Sequence, residues 1–548
     1  MMRRLEAAVV AFPAGLLGRT ALAACAGISM LATLAHPARA QDGERGKLVY
    51  EQWCSQCHGL QGDGTGPAAQ RMLTRPRDFT RGLFQIRTTA GGEIPTDEDI
   101  LHVINVGMPG TTMPAWEALL PEGDRQALVA YVKSFYPPFA TLPAPVPLTL
   151  SSGGRASDDR IAEGRLFYDS IQCWQCHGQA GRGDGPGAAE LDDEWGNPIR
   201  AADLTQSWMF NGGSTADDIY RRLRTGLDGT PMPSFSDLLN AGFMTDDQLW
   251  SLSHYVRSLS PADPPQVQEV IQVERAARFV EVPRLASDER WDEVEAFYVP
   301  LVGQIITGDR AFDPAVTSVW VQGIHDGTEL AIRVTWSDRS KSPDPTWQQL
   351  WQPRVLAALE PKGLGREPGA RPDRLSIQFP AVIPEGMDRP YFLMGDSDTP
   401  VNLWQWRSDQ TRPQRATGRG VNDITTTGPG ILTSDAQWVN GQWQVVFRRD
   451  FEPNNAETEL RFELGRPVPM AFFVWDGDSG EDGTRGAIST WYFLNLEEET
   501  PVSTYIAPFL AFLITGALGL LAITRARRRD RESAIGGTPA AATAASTS

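Results

Sequence analysis

Hydrophobic positions recur with a helical period in the first half of the chain and with a period of two in the second. Leu249, Leu252, Val256 and Leu259 repeat at the spacing of one helix face, and Thr245 with Gln248 is a capping box for the start of that helix. Beyond about Val267 the pattern alternates. Leu330, Ile332, Val334 and Trp336 interleave with Ala331, Arg333 and Thr335, the mark of a half-buried strand. Asp326-Gly327 joins this run to Val316–Ile324, and Asn440-Gly441 joins Gln437–Val439 to Trp443–Phe447; both dipeptides are hairpin turns. Ala471–Trp475 reads as a buried strand. Short strands with tight turns predict an all-β sandwich over residues 267–499.

Two apolar runs flank this pattern. Residues 505–524, from Tyr505 to Thr524, are 20 positions without a charge, enough to cross a hydrocarbon core of ~30 Å. Arg525, Arg527, Arg528, Arg529 and Arg531 follow, and Glu497–Glu499 precede, which places the arginines and the Ala/Thr-rich tail (525–548) in the cytoplasm. At the other end Arg3, Arg4 and Arg19 lead into an apolar stretch, Thr20–Ala35, that closes on Ala38-Arg39-Ala40. Residues 1–40 therefore read as a signal peptide. A lipoprotein box at Leu22–Cys25 and an uncleaved anchor are the alternatives. Either way the expected location is a bacterial inner membrane with a single C-terminal span and the bulk of the chain in the periplasm.

A chain of 548 residues predicts about three or four folded units. The net charge of −18 argues against nucleic acid as a partner, because phosphate binding needs a basic surface. Removing the leader takes away four arginines and one glutamate, making the remainder more acidic. Five cysteines are present, and Cys25 lies in the leader. The other four form two Cys-x-x-Cys pairs, each followed by His.

Those pairs belong to an internal repeat. Cys54-Ser55-Gln56-Cys57-His58 is matched by Cys173-Trp174-Gln175-Cys176-His177. The offset that aligns His58 with His177 also aligns Pro67 with Pro186, Ile100 with Ile219 and Met113 with Met232. Two thiols on one helical turn can each add to a vinyl group of a porphyrin, and the following His then faces the iron; this is the c-type haem attachment pattern. Zinc would need further ligands, and a thiol–disulfide pair would not need an adjacent His twice. Met113 and Met232 each sit in a Gly-Thr-x-Met-Pro turn, where a thioether would be the sixth ligand and raise the reduction potential. The alternative is a methionine filling a core gap; Met108, without a counterpart in the second copy, suits that role. His102 and His254 are unmatched and read as surface or core residues.

Each copy resembles a class I cytochrome c over about 100 residues. The expected units are 41–136 and 158–261, joined by a Pro-rich linker (137–157) that holds them at a set separation. The fold class is thus multidomain: two all-α class I cytochrome c domains, an all-β sandwich and one C-terminal transmembrane helix.

The β region carries a second resemblance. Tyr391-Phe392-Leu393-Met394-Gly395, Pro400–Trp406, Val474-Trp475-Asp476-Gly477 and Ser489-Thr490-Trp491-Tyr492 are similar to segments of the haem b-binding γ subunits of ethylbenzene dehydrogenase, dimethylsulfide dehydrogenase and nitrite oxidoreductases. The resemblance implies one haem b held by a Met and a Lys, with a molybdopterin catalytic subunit and an iron–sulfur subunit as partners. It places the methionine at Met394; the other reading is a core methionine beside Trp404 and Trp406. The family's lysine falls where this chain has Thr484-Arg485-Gly486-Ala487, and arginine is a very poor iron ligand. The haem b then has another ligand, is five-coordinate, or is absent. The region's lysines are Lys341 and Lys362. His325, beside Asp326-Gly327, reads first as a turn residue.

Taken together, the sequence predicts a membrane-anchored multihaem electron-transfer subunit with two covalent haem c and no catalytic site of its own. It would pass electrons between the catalytic and iron–sulfur subunits and a soluble cytochrome c or terminal oxidase. A dihaem cytochrome c peroxidase-like enzyme and a dihaem cytochrome with a haem-free β docking module are the alternatives. The acidic surface is suited to steering a basic cytochrome.

Overall fold

The computed structural model describes residues 43–276, 280–359, 366–384, 388–453, 459–498 and 503–535. The signal peptide, Lys362, Glu499 and the end of the tail lie outside the described residues.

The first repeat is built from helix 43–53, helix Asp97–Val106 and helix Glu122–Ser134. The second uses Asp158–Ser170, Ala216–Thr225 and Asp246–Ser258, with a short helix Ser236–Asn240. Capping boxes start corresponding helices in the two copies: Thr96 with Asp99, and Thr215 with Asp218. The expected Thr245–Gln248 box is also formed. In each copy the first and last helices cross at a glycine. A Cβ on Gly46 would lie 2.2 Å from the Ala127 carbonyl oxygen, and one on Gly164 would lie 2.0 Å from that of Ser251. Only a bare backbone permits so close a crossing.

The β region forms a 14-stranded sheet among the described residues. Both expected hairpins are present: Ser318–His325 with Glu329–Ser337, and Thr433–Val439 with Gln442–Asp450. Val468–Trp475 is buried at every position. The strand Val270–Arg275 pairs in parallel with both Ser318–His325 and Tyr492–Leu496, joining two halves that face each other. Trp336, Trp443 and Phe447 of one half pack with Trp404, Trp406 and Phe472 of the other in a single core.

The all-β expectation needs one correction. Two helices, Pro345–Leu350 and Gln352–Leu359, interrupt the strands. Asp344 caps the first, accepting from Thr346 N at 2.8 Å and Trp347 N at 3.1 Å, with proline in the first turn. Trp351 and Val355 pack with Leu73 of the first repeat and Ala189 of the second. The helices are therefore the apolar joint between the β region and both helical domains.

The linker is not a free spacer. Leu148 N donates to Thr88 O at 2.8 Å, and Trp250 Nε1 donates to Ser151 Oγ at 2.9 Å. The two repeats also touch directly. The fully buried Arg87 guanidinium reaches Asp228 Oδ1 and Thr225 O, each at 2.8 Å. Direct contact, rather than linker stiffness, fixes their spacing. The C-terminal helix Ser503–Ile535 is long and apolar enough over Ile506–Ile535 to cross a membrane, and the side chains of that span are exposed.

Candidate haem sites

Both Cys-x-x-Cys-His segments fold as one helical turn, Ser55–His58 and Trp174–His177. Each turn is ended by a glycine in a positive-φ conformation, Gly59 at 77° and Gly178 at 78°. Tyr50 Oη donates to Gly59 O at 2.8 Å, and Tyr168 Oη donates to Gly178 O at 2.6 Å. The second copy carries one extra residue before its first cysteine: Gln172 takes φ 61°, and Cys173 N still reaches Tyr168 O at 3.0 Å. None of the four cysteines is in a disulfide. Burial pushes the Cys54 and Cys173 thiols up to about 12, so both are neutral.

The histidines are oriented alike. His58 Nδ1 lies 3.0 Å from Arg77 O, and His177 Nδ1 lies 3.0 Å from Ala202 O. A carbonyl only accepts, so Nδ1 carries the proton and Nε2 keeps its lone pair. Burial holds both imidazoles below the usual histidine range, in the neutral form that binds metals. The methionine turns match bond for bond. Met113 N donates to Thr111 Oγ1 at 3.1 Å and Met232 N to Thr230 Oγ1 at 3.3 Å. Met108 N donates to Met113 O, and Leu227 N to Met232 O, both at 3.1 Å.

One cavity of about 1040 Å³ contains all of this chemistry. Cys54, Cys57, His58 and Met113 line it together with Cys173, Cys176, His177 and Met232. A site for one small ligand occupies roughly 300–1,000 Å³, so this volume runs past the upper end of that range. Met108 lines it as well, and Met209 enters at the seam, its Cε 3.7 Å from where a Gly110 Cβ would stand. Several polar atoms on the wall are buried without a partner: Trp116 Nε1, Gln206 Oε1, Arg339 Nε, and Nε and Nη1 of Arg222. Buried polar atoms are ordinarily satisfied. A wall that offers thiols, bare imidazole nitrogens, thioethers and unmet donors fits a covalently held porphyrin with acidic side groups.

The loops behind the histidines are held from outside their own domain. Trp195 of the second repeat stacks against the Arg77 guanidinium at 4.9 Å and donates from Nε1 to Asp78 Oδ2 at 3.1 Å. Arg339 of the β region donates to Ala201 O at 3.2 Å, and Arg182 donates to Ser337 Oγ at 3.1 Å. Sequence reasoning missed Arg77, Trp195, Arg222 and Arg339, because none of them lies in a repeated motif.

The β region places its candidates differently. Met394 is 4% exposed and lies with Leu393, Val401, Leu403, Phe473, Trp475 and Trp491. It is not beside Trp404 and Trp406, which face the main core from the same strand. Side chains alternate along Val401–Arg407, so Leu403 and Trp404 point to opposite faces. Met394 takes φ 61°, rare for a residue with a side chain. It does not line the large cavity. Lys341 is exposed and stands over the Trp443 ring at 5.9 Å. His325 is buried with both ring nitrogens engaged: Nε2 at 3.0 Å from Glu497 O, and Nδ1 accepting from Gly327 N at 3.1 Å. His254 is bound to Gly153 O at 3.2 Å, and His102 is exposed.

Comparison with known proteins agrees with this division. The family model "Ethylbenzene dehydrogenase" matches residues 288–428 and 423–487. The model "Cytochrome C oxidase, cbb3-type, subunit III" matches 41–132, and "Cytochrome c" matches 161–260. A Haloferax mediterranei protein described as a respiratory nitrate reductase heme subunit is 24% identical over 210 residues, covering 38% of this chain and 67% of its own. The dimethylsulfide dehydrogenase subunit gamma of Rhodovulum sulfidophilum is 27% identical over 132 residues, covering 23% of this chain. The chain spans about half (48%) of that relative's length. Cytochrome c55X of Paracoccus denitrificans is 35% identical over 96 residues, covering 18% of this chain and 76% of its own. The chain thus combines a γ-subunit domain of the ethylbenzene dehydrogenase type, over residues 288–487, with two cytochrome c domains.

Proposed function

We propose that the chain is a membrane-anchored electron-transfer subunit of a molybdopterin oxidoreductase complex. Two covalent haem c are held by Cys54, Cys57 and His58 with Met113, and by Cys173, Cys176 and His177 with Met232. The observation that carries this reading is the single cavity lined by both sets of residues. Porphyrins that share one cavity exchange electrons with little protein between them. Held by an imidazole and a thioether from this chain, each haem would work at a relatively positive potential. Such centres pass electrons onward to a soluble cytochrome c or a terminal oxidase. With His58 and Met113, and His177 and Met232, as ligands, each haem would offer no open site for bond-making chemistry, and catalysis would belong to a partner that carries the molybdopterin and iron–sulfur centres. A nitrite oxidoreductase is one such partner. The arginines after the apolar helix support a periplasmic position for the haem domains.

The surroundings of Met394 do not fit a six-coordinate haem b. Its side chain is packed among apolar groups away from the cavity, and Lys341 lies exposed over a different cluster. This favours a second reading of the β region, as a haem-free scaffold that docks the partner and braces the second haem site.

A pyridine haemochrome assay on the matured protein decides both points. Two c-type haems per chain support the electron-transfer reading, and none overturns it. An added b-type haem contradicts the scaffold reading. Peroxide turnover by the isolated protein would replace the electron-transfer role with a peroxidase.

A further inference from the structure

The wall of the shared cavity holds a cation that the cytochrome fold does not account for. Arg222 lies on helix Ala216–Thr225 of the second repeat. Its Nη2 crosses the seam and donates to the carbonyl oxygen of Arg87 at 2.9 Å. Its Nε and Nη1 are buried and have no partner. A guanidinium has five N–H donors and no acceptor, and an unmet buried donor keeps its full desolvation penalty.

The protein offers little to answer that charge. Burial lowers the Arg222 pKa to about 10, which leaves it protonated at neutral pH. The carboxylates that act on it, Asp99 and Asp218, are already committed to their own helix caps at Thr96 and Thr215. Arg87 and Arg221 repel it. Its place is nonetheless made for it. A Cβ on Gly212 would stand 2.8 Å from Arg222 Cδ, so the stem rests on bare backbone. The aligned residue of the first repeat is Val103, so the arginine is not a requirement of the repeated fold.

We propose that Arg222 is a positioning residue that holds an anionic carboxylate of a porphyrin through Nε and Nη1 while Nη2 ties it to the first repeat. The inference rests on the haem-binding reading above. A fixed cation beside the porphyrin disfavours the oxidised, more positive iron and raises that centre's potential. The same side chain makes the seam between the repeats depend on the bound group.

The test uses the full-length, haem-matured protein and its R222Q and R222K variants. Haem content is counted first; a wild type without haem defeats the parent reading, not this one. With two haems retained, R222Q lowers the potential of one centre and leaves the other near its wild-type value, and R222K recovers most of the loss. Unchanged potentials in haem-replete R222Q overturn the proposal. If R222Q does not accumulate, R222K decides by resonance Raman. A shifted propionate bending band supports the contact, and a band identical to wild type refutes it.

Discussion

Arg339 of the β region donates to the carbonyl oxygen of Ala201, one residue before the carbonyl that orients His177. The first repeat has a parallel arrangement, with Trp195 of the second repeat bearing on Arg77 and Asp78 next to His58. Each histidine is thus steadied by the unit that follows it in the chain. Arg339→Ala removes a charged hydrogen bond, which costs about 1.5–3 kcal/mol. A two-component redox titration should show the second haem shifted and the first unmoved. Equal shifts in both would mean that Arg339 acts on the whole fold.

Asp228→Ala should loosen the seam between the repeats. Arg87 keeps its carbonyl acceptors, Phe84 O, Ala90 O and Thr225 O, but loses its carboxylate contact with Asp228. The loss of a hydrogen bond between charged groups is worth roughly 1.5–3 kcal/mol. Denaturant unfolding of the matured protein measures it, and a change under 0.5 kcal/mol would make the pair dispensable.

Gly164→Ala and Gly123→Ala should part in sign. A methyl at Gly164 meets the Ser251 carbonyl at 2.0 Å, whereas at Gly123 nothing lies within 4 Å. Overpacking of the helix crossing costs typically 1–3 kcal/mol. Alanine in the open helical position contributes up to about 0.5–1 kcal/mol of stability. Thermal unfolding compares the two, and similar midpoints would contradict the tight crossing.

Much of this was legible in the residues, for chemical reasons. Thioether attachment demands Cys-x-x-Cys-His whatever surrounds it, so Cys54–His58 and Cys173–His177 announce themselves. Met113 and Met232 gained weight from their matched turns, which the structure repeats bond for bond. Period-two patterning located the hairpins. The same alternation would have separated Met394 from Trp404 and Trp406, since Leu403, on its side, is out of phase with them. Helices 345–350 and 352–359 were missed although Asp344-Pro345 is a helix start, because the surrounding strands dominated the pattern. The braces Trp195 and Arg339 act across more than a hundred residues, and no local pattern encodes such contacts.

The β region should be more stable in mild acid than at neutral pH. Burial, with Asp476 nearby, raises Asp478 to about 6 and Glu481 to about 7. Asp338 and Asp373 are raised too, by burial and by the other carboxylates of their cluster. Their ordinary values are 3.8 for Asp and 4.5 for Glu. Between those values and the raised ones the folded state binds more protons than the unfolded chain, so unfolding free energy falls as pH rises from about 4 to about 7. Asp478→Asn with Glu481→Gln should flatten that slope. Stability that climbs over this range would contradict the raised values.

Intact-mass spectrometry of the purified, matured chain, followed by peptide mapping, tests the central claim most directly. The account predicts two covalent haem increments, one on the peptide carrying Cys54 and Cys57 and one on that carrying Cys173 and Cys176. Unmodified thiols at either pair contradict it.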